Sequence, residues 1–289
     1  MDHCRTPTKS HPSRERVGRS GGTATDPRPP GPLRWRVRSL RVSTLRHPDG
    51  PAEDDVCVEE PLELRVEGEP AAITMRTPGD DLDLAAGFLL TEGVIDGPDD
   101  LRALAIVGEN TVDARLADGV PALRARSADR AMYATSSCGI CGKASIDRLR
   151  RTFDPVVGWL PSDDVLARLP GALRAAQGTF HQTGGLHAAA LFDASGAVFD
   201  VREDVGRHNA VDKVIGARLH ADALDFAGLG LVVSSRAGFE IIQKALVARI
   251  PTVVAFGAPT SLAVEAATDA GLTLIGWLRA DRWVVYGAR

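Results

Sequence analysis

Between residues 33 and 130, apolar positions mostly alternate with charged or polar ones. A period of two is typical of half-buried strands, because successive side chains of a strand point to opposite faces of a sheet. Residues 82–92 interrupt this pattern with apolar residues at helical spacing. Asp80 or Asp81 is placed to cap the start of that helix, and Gly93 is placed to end it. The pattern therefore predicts a β-rich N-terminal part with one helix, its strands covering residues 35–40, 56–66, 71–75, 103–107 and 111–116.

From residue 156 to residue 289, short apolar runs alternate with helical segments. Residues 188–192 and 198–201 are predicted to pair as a hairpin. From residue 229 onward, strands separated by helices and short loops predict parallel pairing with right-handed crossovers. In such sheets, ligands bind beyond the carboxyl ends of the strands. This region is therefore predicted to be an α/β C-terminal part. Its predicted strands cover residues 188–192, 198–201, 229–233, 252–256, 272–278 and 283–286, and its predicted helices cover residues 162–176, 210–219, 239–249 and 261–270.

Three segments at the predicted strand ends carry groups that suit an anion. Ser234-Ser235-Arg236-Ala237-Gly238 offers hydroxyls, backbone N–H groups and a guanidinium, which together form a seat for phosphate. The loop at residues 257–261 has hydroxyls too, but helix capping by Thr260 or Ser261 accounts for them. The third segment, residues 202–213, is dense in charge and leads into a helix. There, Gly206 lets a ligand approach the backbone, and Arg207 and His208 suit an anion.

Histidines form a second group of candidates. His181 and His187 lie in the glycine-rich segment 178–187, which precedes an apolar strand. Loops on a rigid scaffold commonly carry functional residues, so a catalytic role and a structural role are equally open for this pair. The role of His208 is open in the same way.

Composition and charge narrow the class of protein. The chain has 289 residues, 44% of them hydrophobic and 25% charged, which is ordinary for a soluble globular protein. A net charge of −4 argues against a general nucleic-acid or membrane-surface binder. No apolar run is long enough to cross a bilayer, and no apolar segment follows the basic N-terminus as a secretory signal requires. Residues 1–32, rich in Pro and Gly, predict a disordered basic tail, and four irregularly placed cysteines favour a reducing cytoplasm.

The segment Ser136-Ser137-Cys138-Gly139-Ile140-Cys141-Gly142-Lys143 is the strongest chemical signal in the chain. A predicted helix begins directly after it, so unpaired backbone N–H groups and the charge of Lys143 favour thiolate over thiol. The small flanking residues leave room for another molecule to approach sulfur. Residues 131–155 are therefore predicted to be a loop bearing Cys138 and Cys141 and a connecting helix, suited to covalent sulfur chemistry.

Other uses of two cysteines at this spacing stay open. A structural zinc site needs four ligands, and the remaining cysteines, Cys4 and Cys57, are isolated. A zinc deaminase has a His-x-Glu motif before Pro-Cys-x-x-Cys, whereas here Ser137 precedes Cys138 and no upstream His-x-Glu exists. A thioredoxin-type dithiol is a third possibility, although no βαβ pattern brackets the motif.

Taken together, several segments resemble the FdhD/NarQ family of formate dehydrogenase accessory sulfurtransferases. The resemblance covers residues 35–289, and its motifs occur in the family's order. One departure is Ser235, where the family usually has glycine. The matching segments are residues 136–142, 183–189, 203–216, 234–236, 239–240, 243–245, 258–263 and 279–282, with Tyr286 following.

The resemblance implies an α/β (α+β) fold whose α/β core is similar to that of cytidine deaminases, joined to the β-rich N-terminal part. It also implies a cytoplasmic, homodimeric sulfur carrier. Such a protein accepts persulfide sulfur from a cysteine desulfurase. It passes the sulfur to the bis-molybdopterin guanine dinucleotide molybdenum cofactor before that cofactor is inserted into formate dehydrogenase. By the family match, Cys138 carries the persulfide and Cys141 assists.

The family match also places cofactor binding in the terminal segment Trp277, Leu278, Arg279, Ala280, Asp281 and Arg282. The cofactor has two guanosine-diphosphate-like arms, so GDP is a partial mimic of it. Guanidinium groups match phosphates in shape and charge, which makes Arg207, Arg236, Arg279 and Arg282 candidates to hold them. A non-catalytic chaperone that binds and delivers the cofactor is the alternative function. No metal site of the protein's own is predicted, and neither nucleic acid nor membrane is expected as a partner.

Overall fold

The computed structural model describes residues 38–121 and 153–287. Within these ranges, twelve strands form three sheets and are accompanied by six α-helices. The predicted tail at residues 1–32 and the predicted cysteine segment, except for its last three residues, lie outside the described residues. No helix in the described ranges is long and apolar enough to cross a membrane.

The N-terminal part is built mostly from strands, as the alternation predicts. A hairpin of β1 and β2 precedes a four-stranded sheet with the order β4-β3-β6-β5. The apolar face of this sheet packs under α1, where Leu62, Leu84 and Val112 are buried together. The elements are β1 (Ser39–Arg46), β2 (Gly50–Cys57), β3 (Glu60–Val66), β4 (Glu69–Arg76), α1 (Asp81–Thr91), β5 (Leu101–Gly108) and β6 (Thr111–Leu116).

The predicted cap of α1 is confirmed in position but not in mechanism. Asp80 is the residue before the helix, yet its side chain does not bond to the helix N–H groups. It pairs with Arg38 instead, at 2.5 Å, and its backbone is left-handed with φ 56°. Gly93 follows the helix end with φ 74°, the conformation that glycine favours at such stops.

The C-terminal part forms a six-stranded sheet with the order β12-β11-β10-β9-β7-β8. The predicted parallel pairing is confirmed for β9, β10 and β11, and the predicted hairpin is confirmed for β7 and β8. Strand β12 runs antiparallel to β11, and β7 runs antiparallel to β9. The strands are β7 (His187–Phe192), β8 (Val198–Asp204), β9 (Gly230–Val233), β10 (Thr252–Ala255), β11 (Thr273–Gly276) and β12 (Val284–Tyr286). The helices are α2 (Asp163–Ala175), α3 (Gly178–Thr183), α4 (Arg207–His220), α5 (Phe239–Val247) and α6 (Ser261–Ala270).

Two predictions in the C-terminal part are wrong, and Glu203 explains the first. Residues 178–183 form α3 rather than a loop, and β8 extends to Asp204 beyond the predicted end at residue 201. The carboxylate of Glu203, on this extension, accepts hydrogen bonds from the backbone N–H groups of Thr179 and Phe180 at 2.9 and 2.8 Å. Since a carboxylate at unpaired N–H groups stabilises a helix start, this tertiary contact supports α3.

The two parts of the chain are joined by helix packing and buried ion pairs. Helix α1 packs closely along α4. Lys244 of α5 contacts Asp212 of α4 at 2.9 Å and the Thr91 hydroxyl of α1 at 2.9 Å. Burial alone would lower the pKa of Lys244, but the carboxylates of Asp212 and Glu92 outweigh it, and the pKa is raised. Lys244 therefore stays charged and ties three helices together.

Candidate functional site

Most strands that precede a candidate residue end at one edge of the six-stranded sheet. Strands β9, β10 and β11 are parallel, and β8 has the same direction because it is antiparallel to β7, which is antiparallel to β9. The carboxyl ends of these four strands therefore lie at one edge, here called the carboxyl edge, together with the start of β7. The predicted site residues follow three of these strands. After β8 come Arg207 and His208, after β9 come Ser234, Ser235 and Arg236, and after β11 come Trp277, Leu278, Arg279, Ala280, Asp281 and Arg282.

The loop after β9 uses its serines for its own backbone. The N–H of Ser234 donates to the Ala188 carbonyl, and the Ser234 hydroxyl accepts from the Ala188 N–H, both at 2.9 Å. Ser235 is buried, and its hydroxyl donates to the Arg236 carbonyl at 3.0 Å. Only the Arg236 side chain is exposed in this triplet. The structure therefore leaves the guanidinium as the main group that this loop offers to a phosphate.

The loop after β10 crosses that loop at close range. A β-carbon on Gly257 would lie 2.9 Å from the Arg236 Cα, so only glycine fits between the two backbones. Gly257 N–H donates to the Ser235 carbonyl at 3.0 Å. Thr260 caps α6 by accepting from the Ala263 N–H at 3.4 Å, which confirms the predicted capping role.

The terminal segment is anchored through its backbone and one arginine. Trp277 N–H donates to the Gly257 carbonyl at 3.0 Å, while the Trp277 side chain is 49% exposed. The φ angle of Trp277 is 57°, a left-handed conformation that is uncommon for a bulky residue. Strained backbone conformations of this kind occur mainly at functional sites. The Arg279 guanidinium donates to the carbonyls of Phe256 and Leu278 at 2.7 Å each. Leu278 is buried, and Ala280, Asp281 and Arg282 are exposed.

The charge-dense segment contains both buried structural charges and partly exposed basic residues. Asp204 is fully buried and contacts Lys213 at 2.7 Å, and it accepts from the Gly206 N–H and the Asn209 amide. A β-carbon on Gly206 would lie 2.8 Å from the Asn209 amide nitrogen. Gly206 therefore makes room for Asn209, a packing role that the sequence analysis did not foresee. Arg207 and His208, at the start of α4, are partly exposed, and so is Arg202, which pairs with Asp83 at 2.9 Å.

An acidic residue that the sequence analysis did not select completes this cluster. The Nε2 atom of His208 lies 2.7 Å from the Glu240 Oε2 atom in the first turn of α5. The closeness of His208 lowers the pKa of Glu240 despite partial burial. The sequence signal of Glu240 is weak, because an acidic residue in a first helical turn is explained by the helix dipole alone.

The two remaining histidines differ from His208. His187, at the start of β7, is half-buried, and burial is the main cause of its lowered pKa. The positive charges of Arg207 and His208 lower it further, against the effect of Asp204. His187 is therefore neutral at neutral pH. His181 is exposed on α3.

Cys138 and Cys141 lie outside the described residues. Cys57 is the one cysteine that the described ranges contain, and it is half-buried with Sγ 3.8 Å from the Gly185 carbonyl oxygen. Burial, helped by the charges of Glu59 and Asp204, raises the pKa of its thiol, which disfavours the nucleophilic thiolate. Within residues 38–121 and 153–287, no group of three His, Cys, Asp or Glu side chains is arranged to hold a metal ion.

Comparison with known proteins identifies the relatives of this chain. The model of the FdhD/NarQ family matches residues 57–289. A protein named sulfur carrier protein FdhD from Streptomyces avermitilis is 48% identical over 87% of this chain and 91% of its own length. Proteins with the same name from Mycobacterium tuberculosis and Sulfolobus acidocaldarius are 46% and 42% identical. They cover 81% and 87% of this chain, and 90% and 96% of their own lengths.

A solved structure has the same fold. It is the crystal structure of a protein from Desulfotalea psychrophila that its description proposes to be a formate dehydrogenase accessory protein. The two structures superpose with a TM-score of 0.68 at 23% identity, covering 86% of this chain and 96% of the other. At this identity the likeness establishes the fold alone. The mixed α/β architecture predicted from the sequence is confirmed.

Proposed function

Because this chain belongs to the FdhD/NarQ family, we propose that it is a sulfur carrier for the maturation of formate dehydrogenase. In this proposal, a cysteine desulfurase supplies the sulfur and Cys138 accepts it. The sulfur is then transferred to the bis-molybdopterin guanine dinucleotide molybdenum cofactor, which is the protein's cargo. The carrier works as a homodimer in the cytoplasm.

The first step is an exchange at sulfur. The Cys138 thiolate attacks the terminal sulfur of the desulfurase persulfide, a new S–S bond forms on Cys138, and the desulfurase cysteine leaves as a thiolate. The step is redox-neutral, because one S–S bond replaces another. In the second step, the Cys141 thiolate attacks the inner sulfur of the Cys138 persulfide. A Cys138–Cys141 disulfide forms and sulfide is released to the cofactor, so the two thiols supply the two electrons that sulfide gains.

The proposed cargo site is the carboxyl edge. Arg207, Arg236 and Arg282 supply guanidinium groups for the phosphates of the two guanosine-diphosphate-like arms. Arg279 positions the segment around it through its bonds to the carbonyls of Phe256 and Leu278. The exposed ring of Trp277 offers a flat apolar surface next to these cations.

One observation supports this arrangement most directly. Three separate segments that carry cationic candidates, after β8, β9 and β11, end at the same edge of one sheet. Ligands of parallel sheets bind at this position, beyond the carboxyl ends of the strands. Arg207, Arg236 and Arg282, which are far apart in sequence, thus all follow strands that end at this one edge, an arrangement that suits one extended anion.

Mass spectrometry tests the sulfur step. After incubation with a cysteine desulfurase and cysteine, we expect the peptide containing Cys138 to gain the mass of one sulfur atom, and a reductant to remove it. Cys138→Ala should lose both this gain and the ability to mature formate dehydrogenase in cells. Cys57→Ala is the matched control and should retain both, because burial raises the pKa of its thiol. Full maturation by Cys138→Ala together with tight GDP binding would instead support a cofactor chaperone without sulfur chemistry.

A further inference from the structure

The loop after β10 carries no charge, yet it lies between two segments that carry cationic candidates. It covers residues 256–260 and is here called the central loop. Strand β10 is the neighbour of β9 on one side and of β11 on the other. The loop after β9 bears the exposed Arg236, and the segment after β11 begins with the exposed Trp277. The central loop is therefore placed to set the distance between these two residues.

Gly257 of the central loop binds both neighbouring segments through its own backbone. Its N–H donates to the Ser235 carbonyl at 3.0 Å, and its carbonyl accepts from the Trp277 N–H at 3.0 Å. The Ser235 carbonyl and the Arg236 N–H belong to one peptide group. The first bond therefore holds the backbone at Arg236, and the second holds the backbone at Trp277.

The contact between Gly257 and Arg236 leaves no room for a side chain. A β-carbon on Gly257 would lie 2.9 Å from both Cα and Cγ of Arg236, and 3.0 Å from its backbone nitrogen. Because two of these atoms belong to the backbone, only a movement of the Arg236 loop could relieve the clash. On the other side, a β-carbon on Gly276, the last residue of β11, would lie 2.8 Å from Cδ of Pro259 in the central loop. The three segments are therefore packed against one another with little freedom to shift.

Further backbone contacts surround this crossing. Ala237 and Pro259 form a parallel bridge, and the Thr260 N–H donates to the Ala237 carbonyl at 3.1 Å. From the other side, the Arg279 guanidinium donates to the Phe256 carbonyl at 2.7 Å. Since both neighbours are bonded to the central loop, their spacing can change only if several of these bonds break.

We propose that Gly257 is a positioning residue, which fixes the spacing between Arg236 and Trp277 so that one nucleotide contacts both residues at once. This inference rests on the proposed cargo site, in which Arg236 holds phosphate and the Trp277 ring offers a surface to the guanine base. Phosphate and guanine are parts of one molecule, so binding at one residue brings the other part into place when the spacing is fixed. Arg236 and Trp277 therefore contribute cooperatively to binding.

Titration calorimetry with GDP and the full chain, at constant pH, measures this cooperativity. Arg236→Gln removes the guanidinium and Trp277→Leu removes the aromatic surface, and each should weaken GDP binding about tenfold. The benefit of fixed spacing is lost with the first substitution and cannot be lost again. The double variant should therefore bind about thirtyfold more weakly than the natural chain, which is less than the product of the two single losses.

Gly257→Ala tests the positioning role directly. Its methyl group should displace the Arg236 loop and weaken GDP binding by about threefold, which is the share of the affinity that fixed spacing supplies. In this background, the losses caused by Arg236→Gln and Trp277→Leu should simply multiply, because the two residues no longer act together. A role of Gly257 in packing alone would lower stability but leave the cooperativity in GDP binding unchanged.

Gly230→Ala is the matched control. A β-carbon on Gly230 would overlap the Phe192 ring, but Gly230 begins β9 at the opposite edge of the sheet. This variant should lower the free energy of unfolding and leave both GDP affinity and cooperativity of the folded protein unchanged.

The outcomes separate this inference from the proposed function. A natural chain that fails to bind GDP would overturn the proposed cargo site, and this inference with it. GDP binding in which the losses of Arg236→Gln and Trp277→Leu multiply in the natural chain would overturn this inference alone, and that measurement does not require Gly257→Ala to fold. Cooperativity that persists in Gly257→Ala would also overturn it.

Discussion

Gly87 of α1 and Gly216 of α4 lie against each other so closely that a β-carbon on Gly216 would be 2.7 Å from the Gly87 amide nitrogen. The same β-carbon would overlap the Asp83 carbonyl oxygen. Both glycines are buried within their helices, where glycine is unfavourable for helix formation. The close approach of two backbones explains their presence. This contact connects the β-rich part to the α/β part.

The first prediction tests this contact. Gly216→Ala should lower the free energy of unfolding by about 1–3 kcal/mol, because the helices must separate to admit a methyl group. Chemical denaturation followed by circular dichroism measures the change. The matched control is Gly171→Ala in α2, where a β-carbon meets nothing within 4 Å. That substitution should stabilise the protein by about 0.5–1 kcal/mol, and equal effects of the two substitutions would contradict the packing role.

A second prediction concerns Lys244, which links α1, α4 and α5. Lys244→Met should destabilise the protein by about 3–5 kcal/mol, since it leaves the carboxylate of Asp212 buried without its partner. Adding Asp212→Leu to this variant should restore part of the loss, because the unpaired charge is then gone. Thermal unfolding of the two variants provides the comparison. A double variant that is less stable than Lys244→Met would show that the ion pair is not the main cause.

Asp83 supports a prediction on pH dependence. Burial acts to raise its pKa, but contacts with His220 and Arg202 outweigh burial and lower it below its usual value. Because the pKa of Asp83 is lower in the folded state, its carboxylate stabilises the protein fully at pH values above the unfolded-state pKa of about 3.9. This stabilisation is lost as the pH falls through the folded-state pKa. Asp83→Asn should therefore be less stable than the natural chain at neutral pH, and the difference should shrink in acid. Urea unfolding of both chains at several pH values checks this, and a constant difference would contradict it.

The sequence pattern predicted the elements whose cause is local. Helix α2 begins where Ser162 was expected to cap it, with the Ser162 hydroxyl accepting from the Val165 N–H at 3.3 Å. Helix α6 spans the predicted residues 261–270, because a capping threonine precedes it and Gly271 ends it with φ 73°. Capping residues and apolar periodicity act within a few positions of the chain, so a sequence displays them directly.

The features that escaped prediction depend on distant partners. Helix α3 is supported by Glu203, more than twenty residues away in sequence. From the sequence alone, the buried residues Asp204 and Lys213 look the same as the partly exposed Arg207 and His208. The structure distinguishes them by their burial. Glu240 looks like an ordinary helix-start residue until His208 is placed beside it. Charge signs are visible in a sequence, but their pairing is fixed only by tertiary structure.

Cys57 gives a prediction on thiol reactivity. Its raised thiol pKa means that alkylation by iodoacetamide should be slow at neutral pH and should accelerate only at more alkaline pH than for a free cysteine. Cys138, the proposed acceptor, should react faster. Peptide mass spectrometry after timed labelling resolves the two sites. Faster labelling of Cys57 than of Cys138 would contradict both the buried position of Cys57 and the proposed activation of Cys138.

The last prediction separates stability from binding at Trp277. Its left-handed backbone costs about 1–3 kcal/mol for a residue other than glycine, and half of its side chain is exposed to solvent. Trp277→Gly should therefore leave the free energy of unfolding unchanged or increase it, because glycine adopts this conformation without strain. If the ring serves as a surface for the guanine base, the same variant should bind GDP about tenfold more weakly, while Trp277→Phe should retain most of the affinity. Calorimetry and denaturation of the two variants check both outcomes. A loss of stability without a loss of GDP binding would assign Trp277 to the fold and remove it from the proposed cargo site.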